Sequence, residues 1–220
     1  AFEAISNFLK DYANNATNVP ELKVVSLATK YPQGDEKRLI DATLNRVVPS
    51  GGLPMDAGVI VSNVSTVNAI YEAIYYDKPL YERIMTVTGH NAKTPQNVVV
   101  KVGTRFEDAI EAAGGLNGEI GKLISGGPMM GIAQPNSGNP VEKATNCILV
   151  QTKEEAKPVV TEPCIRCSRC VDVCPVNLLP LYIHKFSLNE KFEKAEDYRI
   201  MDCIECGSCS YICPSKRPLV

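Results

Sequence analysis

Eight of the nine cysteines lie between residues 164 and 213, in two copies of the pattern C-x2-C-x2-C-x3-C-P. Thiolates at this spacing bind iron–sulfur clusters of the [4Fe–4S] type in proteins that hold two of them. Four cysteines also form the soft, tetrahedral donor set that suits iron–sulfur chemistry. The two copies therefore predict two [4Fe–4S] clusters, and electron transfer as the chemistry. The cysteines are Cys164, Cys167, Cys170, Cys174, Cys203, Cys206, Cys209 and Cys213.

The fourth cysteine of each copy is expected to serve the other cluster, as it does in proteins with two such runs. Cluster one is then predicted to take Cys164, Cys167, Cys170 and Cys213. Cluster two is predicted to take Cys203, Cys206, Cys209 and Cys174. This exchange would tie both runs into one small domain whose folding depends on the metal.

Zinc and disulfide bonds are the alternative uses of these cysteines. Structural zinc is usually held by two C-x2-C pairs separated by a longer stretch, which a triple C-x2-C-x2-C does not match. Disulfide frameworks are typical of small secreted domains, whereas this chain has 220 residues. No arrangement of histidine or hydroxyl residues indicates acid–base or nucleophilic catalysis, so no catalytic residue is predicted.

Charged residues differ between the two predicted clusters. The cations near cluster one are Arg166, Arg169, Lys216 and Arg217. The carboxylates near cluster two are Asp172 and Glu205. Reduction adds negative charge, so we expect cluster one to have the higher reduction potential. The alternative is that these side chains point into solvent, where screening would leave the two potentials nearly equal.

Composition narrows the class of protein. With 45% hydrophobic and 22% charged residues the chain is an ordinary globular protein, and its net charge of −2 gives no reason to expect nucleic-acid binding. No apolar run approaches the roughly 18 residues of a membrane-spanning helix. Reduced cysteines fit a cytoplasmic setting. The chain opens with Ala1 inside a predicted amphipathic helix around residues 2–12, so an N-terminal part is expected to be missing.

Hydrophobic periodicity predicts an α+β protein of three domains. Residues 1–80 alternate predicted helices with short strands, which is typical of an α/β layer. Residues 81–152 contain several predicted strands around a single helix, which suggests a β-grasp domain. Residues 153–220 begin with a charged linker and hold both cysteine runs in a mostly helical domain. The strands predicted in the first domain are 22–27 and 59–61, and its later helices are 37–45 and 63–77.

The chain resembles the C subunit of Rnf-type ion-translocating oxidoreductase complexes over essentially its whole length. The segments that carry the resemblance, besides the cysteine runs, are YPQGDEK at 31–37, VPSGGLPMDAGVIVSNVSTVNAI at 48–70, PLYERIMTVTG at 79–89 and ISGGPMMG at 124–131. This family implies a flavin- and nicotinamide-binding α/β domain, a β-grasp domain of the soluble-ligand-binding type, and a helical two-cluster domain. Its first domain is also similar to the NADH-binding subunit of respiratory complex I.

That similarity implies cofactor-binding residues in the first domain. Gly34, Asp35 and Glu36 match a segment lining a nicotinamide site, and Asn63 with Thr66 matches a segment beside the flavin. The glycine-rich loop whose amides would cradle phosphates is absent from this sequence, so the FMN and NAD(H) site is expected to be incomplete here. Without the resemblance, Asp35 and Asn63 would be interpreted as ordinary helix caps.

The resemblance implies an electron-transfer subunit of a membrane-associated, ion-pumping oxidoreductase. It would carry electrons between NAD(H), FMN and two [4Fe–4S] clusters toward ferredoxin or partner subunits, and it would lie peripherally on the cytoplasmic face of the membrane. This fragment alone is not expected to be a complete catalyst. The alternatives are a cobalamin (corrinoid) reductase of the same architecture and a protein whose clusters are only structural.

Overall fold

The computed structural model describes residues 7–12 and 21–219. Contacts divide the chain into two compact units, one ending at Val61 and one beginning at Ser62. Residues 7–12 are helical, which agrees with part of the amphipathic helix predicted over residues 2–12. The rest of that helix lies outside the described residues. The predicted domain boundary at residues 80 and 81 stays a prediction.

The first unit contains helix α1 (Glu36–Leu44) and a short 3-10 helix (Pro54–Ala57). Helix α1 begins where the Asp35 carboxylate accepts a hydrogen bond from the Arg38 backbone N–H at 3.2 Å, which satisfies one of the free amides of the first turn. The helix ends at Asn45, whose left-handed backbone (φ 52°) is a common helix stop.

Two strands predicted in this unit do not form. Residues 22–27 and 59–61 have no regular secondary structure. An extended segment becomes a strand only when a second strand pairs with its N–H and C=O groups, and no described strand pairs with either segment. Apolar residues alone were therefore a misleading signal, as the 83% exposure of Ile60 illustrates.

The second unit begins with helix α2 (Val64–Tyr76), which was predicted from its cap and its periodicity. The Asn63 side chain accepts a hydrogen bond from the Ser65 N–H at 2.8 Å. No residue of α2 is buried in the described structure, so its apolar side does not cover a sheet there.

A five-stranded sheet follows in the order β2-β1-β5-β3-β4. Strands β1 and β5 are parallel, and the other neighbouring pairs are antiparallel. A single helix, α3 (Phe106–Ala112), connects β2 to β3. This mixed sheet with one helix confirms the predicted β-grasp fold. The strands are β1 (Glu82–Thr88), β2 (Gln96–Lys101), β3 (Lys122–Ser125), β4 (Ile132–Gln134) and β5 (Cys147–Gln151).

The core of the β-grasp domain lies between α3 and the sheet. Alternate residues of the central strands point into it, as the period of two requires. Phe106, Ala109 and Ile110 supply the helix face, at spacings of three and four residues. The strands and loops add Met85, Val87, Val100, Leu123, Val141, Ile148 and Val150.

The last part of the second unit is helical, as predicted. Its helices are α4 (Arg169–Asp172), α5 (Pro180–Leu188), α6 (Phe192–Asp197) and α7 (Ser208–Ile212). Helices α4 and α7 each begin within a cysteine run, and α5 and α6 lie between the runs. No helix in the described ranges combines the length and apolar character needed to cross a membrane.

Candidate metal centres

The two cysteine runs adopt the same backbone conformation, with equivalent residues 39 positions apart. We call residues 164–170 the first cysteine loop and residues 203–209 the second cysteine loop. Left-handed φ angles occur at matching places in both, at Arg166 (56°) and Glu205 (52°), and at Ser168 (62°) and Gly207 (72°). These turns wrap each loop around a central space, and a short helix follows in both copies. The cysteine pattern therefore encodes a structural repeat.

Each loop surrounds a cavity that also receives the last cysteine of the other run. The first cavity is lined by Cys164, Cys167, Cys170 and Cys213. The second, larger cavity is lined by Cys203, Cys206, Cys209 and Cys174. The four cysteines that line each cavity are the same four that were predicted to bind each cluster. Ligation itself stays a prediction.

The cysteines border open spaces and do not converge on a point. Among the described residues, no three His, Cys, Asp or Glu side chains come close enough to share one metal ion. Backbone amides face some of the sulfurs: the Arg166 N–H donates to Cys164 Sγ at 3.4 Å and the Leu178 N–H donates to Cys174 Sγ at 3.3 Å. Such N–H···S contacts favour thiolates and are among the features that tune iron–sulfur clusters. The donor set and its amides therefore fit a [4Fe–4S] cluster in each cavity.

Burial raises the pKa of several of these thiols. Removal from water raises the pKa of Cys209 to about 11, against the opposing effect of the Ser210 N–H. Burial likewise raises the pKa of Cys170 and of Cys203. These thiols stay protonated at neutral pH when no metal is bound, because the charged thiolate is poorly solvated. Metal binding at either cavity must therefore release protons.

The two cysteine loops differ in exposure. In the second loop, Cys206 and Cys209 are each only 7% exposed, and Ser208 is buried beside them. In the first loop, all residues from Cys164 to Arg169 are exposed. The second loop is in contact with the β-grasp domain: a Cβ added to Gly207 would lie 3.1 Å from the Met129 carbonyl oxygen. Met129 belongs to the turn at residues 126–131, between β3 and β4.

The C-terminal segment lies beside both cavities. Leu219 lines the first and the second cavity, and its N–H donates to Ser210 Oγ at 2.8 Å. Arg217 lines the first cavity and hydrogen-bonds through Nη2 to His184 Nε2 at 3.0 Å, while His184 lines the second. Because Arg217 has only donors, the neutral histidine accepts at Nε2 and carries its proton on Nδ1. Burial, and then the Arg217 charge, lowers the pKa of His184.

The residues proposed for flavin and nicotinamide occupy two different units. In the first unit, Asp35 caps α1, and Gly34 makes no close approach, since a Cβ there would meet no atom within 4 Å. In the second unit, Asn63 caps α2, and Thr66 is exposed in its first turn. Neither group forms a flavin cradle in the described structure.

Sequence reasoning did not single out His184 or Leu219 at the cavities, or Met129 beside the second loop. It recognised Arg217 only as a charge near cluster one. Their places depend on contacts between distant parts of the chain. The absence of a side chain at Gly207, where the first loop has Ser168, was the one local signal of a close neighbour.

Comparison with known families gives three successive matches along the chain. Residues 1–72 match the family model of the Nuo51 FMN-binding domain, residues 84–133 match the SLBB domain, and residues 163–216 match the 4Fe-4S dicluster domain. The third match covers both cysteine runs. The predicted three-part fold class is therefore confirmed.

The three relatives below are all named as C subunits of translocating oxidoreductase complexes. Over 99% of its length the chain is 49% identical to the C subunit of the Na(+)-translocating ferredoxin:NAD(+) oxidoreductase complex of Acetobacterium woodii. It is 46% identical over 91% of its length to the proton-translocating counterpart of Clostridium ljungdahlii, and 42% identical over 82% to the C subunit of the ion-translocating oxidoreductase complex of Pseudomonas aeruginosa. The chain spans 48%, 44% and 23% of these relatives. The chain thus belongs to the family of the C subunits of ion-translocating oxidoreductase complexes.

Proposed function

We propose that this chain is part of an electron-transfer subunit of a membrane-associated, ion-translocating oxidoreductase. In this proposal it carries electrons between NAD(H) with FMN and two [4Fe–4S] clusters, toward ferredoxin or partner subunits. The observation that supports it most directly is the pair of cavities, each lined by three cysteines of one run and the fourth of the other. Relatives named as ferredoxin:NAD(+) oxidoreductase subunits support the choice of reaction. No observation favours the corrinoid-reductase alternative.

The proposed ligands of the first cluster are Cys164, Cys167, Cys170 and Cys213, and those of the second are Cys203, Cys206, Cys209 and Cys174. When bound, such clusters supply one-electron transfer, and a flavin connects this to the two-electron chemistry of nicotinamide. The chain's own contribution is to hold the thiolates, donate amide hydrogen bonds to their sulfurs and exclude water. Leu181 and Leu219 at the first cavity and Leu178 and Ile183 at the second supply apolar walls.

The proposal has three further parts, which concern the flavin site, the domain bounds and the position at the membrane. Gly34, Asp35, Glu36, Asn63 and Thr66 are proposed to contribute to an FMN and NAD(H) site that other residues complete. The domains are proposed to span residues 1–80, 81–152 and 153–220. We also propose a peripheral position on the inner face of the membrane, in contact with other subunits of the complex.

Paired cysteine variants test the ligand sets and the function together. Anaerobically prepared protein should contain iron and acid-labile sulfide for two clusters, and both should be reducible in an EPR-monitored titration. Cys213→Ser should alter the same cluster signal as Cys164→Ser, and Cys174→Ser the same signal as Cys203→Ser. Cys147→Ser is the matched control, because Cys147 lies in β5 away from both cavity linings.

The result that contradicts the ligand sets is a Cys213→Ser variant that changes the cluster altered by Cys203→Ser. The result that contradicts electron transfer is native protein with zinc, or with clusters that stay redox-silent across the accessible range. Reduction of the clusters by NADH in the protein with its complete flavin site tests the nicotinamide part of the proposal separately.

A further inference from the structure

We infer that the first cysteine loop is a docking surface for a small, acidic electron-transfer protein, and that electrons are exchanged with that partner at the first site. This inference rests on the proposed function, since it assumes a cluster in the first cavity. Beyond the proposed function, the inference says that the first of the two equivalent sites faces a partner, and that this partner has an acidic surface.

The first observation is that the first cysteine loop is more exposed than the second. At the second loop, the turn at residues 126–131 reaches Gly207, and Ile204 is half-buried in the cavity wall. The equivalent residue of the first loop, Ile165, is 67% exposed although it also lines its cavity. A protein can therefore approach the first site closely, whereas the β-grasp domain already covers part of the second.

The second observation is the charge around each site. Residues 162–172 and 214–218, which contain the first cysteine loop and the segment after Cys213, carry four cations and two carboxylates, a net charge of +2. One of these carboxylates, Asp172, lies two residues before Cys174, a cysteine of the second cavity. The equivalent residues 201–211 and 175–179 at the second site carry Asp202 and Glu205 and no cation, a net charge of −2. Asp202 is paired with Arg199, so Glu205 is the exposed charge of that loop.

The third observation concerns the cations of the first site. Arg166, Arg169 and Lys216 are exposed and form no ion pair with another described residue. The flanking acids, Glu162 and Asp172, are exposed as well and do not pair with them. Unpaired cations around a site keep their field in solution, where it steers an oppositely charged partner.

An apolar centre with a charged rim is the usual composition of a protein interface. Here Ile165 supplies an exposed apolar side chain of the first loop, and Arg166 and Arg169 supply positive charge in the same loop. Lys216 adds an exposed charge between Ser215 and Arg217, which line the same cavity as Ile165. Redox encounters are typically small and short-lived, so a patch of this size is adequate for one. An acidic redox protein complements the charge, and its contact at Ile165 would bring its own cofactor close to the first cavity.

The test uses the full chain loaded with both clusters and two forms of an acidic [2Fe–2S] ferredoxin. The dissociation constant of the redox-inactive, gallium-substituted form is measured at ionic strengths of 20 to 500 mM. The rate of cluster reduction by the reduced iron form is measured by stopped flow over the same range. Both affinity and rate should fall as salt rises, because the attraction is between exposed charges.

Charge reversal should locate the surface. Arg166→Glu with Arg169→Glu should weaken binding and slow reduction about tenfold or more at low salt and flatten the salt dependence. Lys143→Glu makes the same kind of charge change at an exposed lysine of the β-grasp domain. It should leave the dissociation constant and the rate of cluster reduction nearly unchanged. Ile165→Ser should weaken binding without altering its salt dependence.

Three outcomes would overturn the inference: equal effects of the Lys143 and arginine variants, a larger effect of Glu205→Lys than of the arginine reversals, or binding of the patch to phosphatidylserine vesicles but not to the ferredoxin. Failure of the proposed function looks different. In that case the gallium form still binds in an Arg166-dependent way, but neither ferredoxin nor dithionite reduces the clusters.

Discussion

Arg166 and Glu205 occupy equivalent positions of the two cysteine loops and carry opposite charges. Both have left-handed backbones, both are exposed, and each lines the cavity of its own loop. Arg217 adds a second cation to the lining of the first cavity. The local charge of the two sites therefore differs through side chains that reach the cavities, which supports the sequence-based expectation of unequal potentials.

We expect Arg166→Gln to lower the reduction potential of the first cluster. One charge about 8 Å away contributes roughly 2 kcal/mol at an effective dielectric constant of about 20, or roughly 90 mV for one electron. Because Arg166 is exposed, screening should reduce this to a few tens of millivolts. Glu205→Gln should raise the potential of the second cluster by a similar amount. EPR-monitored redox titration of both variants measures these shifts.

Lys143→Gln serves as the control for the change in net charge and should move neither midpoint. Unmoved midpoints in the Arg166 and Glu205 variants would mean that solvent screens both side chains completely. A shift of both clusters by the same amount would indicate a general structural change.

At this scale the sequence was informative wherever chemistry depends on residue type and spacing. The cysteine pattern predicted the same two groups of four cysteines that line the two cavities. Asp35 and Asn63 are caps, as their residue types alone suggested. His184 and Met129 were not recognised, because a single histidine or methionine has no local signature of the distant group that it contacts.

At the scale of elements, Ser168 and Gly207 show how the two cysteine loops differ in packing. Ser168 and Gly207 both have left-handed backbones, which cost an ordinary residue about 1–2 kcal/mol. In the first loop this position is a serine, which is exposed to solvent. The second loop uses glycine, and the Met129 carbonyl lies where a side chain would begin.

We expect Gly207→Ala to destabilise the chain by about 1–2 kcal/mol through its backbone alone, and by more if the 126–131 turn must move. Ser168→Gly should be neutral or stabilise it by up to about 1 kcal/mol, since it removes the same backbone cost. Thermal unfolding of the anaerobic, loaded protein gives both values. Gly127→Ala is the control within the turn, because a Cβ there would meet no atom within 4 Å.

The Gly207 variant should also speed the loss of the second cluster in air, since the β-grasp turn would no longer fit against its loop. Equal stability and equal oxygen sensitivity of the Gly207 and Gly127 variants would mean that the turn does not protect the second site.

Periodicity predicted the β-grasp domain because its core strands alternate buried and exposed residues over enough length. It failed where that condition is not met. Strand β4 was missed because it has only three residues, of which Ile132 and Ala133 are exposed. Residues 22–27 and 59–61 have strand-like composition, but strand formation also needs a pairing partner, which composition cannot reveal.

At the scale of the whole second unit, residues 152–156 lead from β5 toward the cysteine loops and are held to the sheet by side chains. Glu155 accepts hydrogen bonds from the Thr152 N–H at 2.8 Å and from Thr152 Oγ1 at 3.1 Å, and it pairs with His90 next to β1. The sequence predicted a linker here from its charge and its proline. It did not predict this anchor, because His90 and Glu155 are 65 residues apart.

We expect the anchor to make stability depend on pH in the acid range. The Thr152 N–H and then His90 hold the pKa of Glu155 below its ordinary value. A carboxylate with a lowered pKa stabilises the folded state above the ordinary pKa of about 4.3, and the effect is lost as pH falls through the lowered value. Glu155→Gln should therefore have a lower urea midpoint than the wild type at pH 7 and at pH 5.5, and the difference should shrink steadily as the pH falls below about 4. Glu154→Gln, which alters only an exposed pair with Lys157, controls for acid loss of the clusters, so a difference that does not shrink on acidification or that appears equally in Glu154→Gln would contradict the anchor.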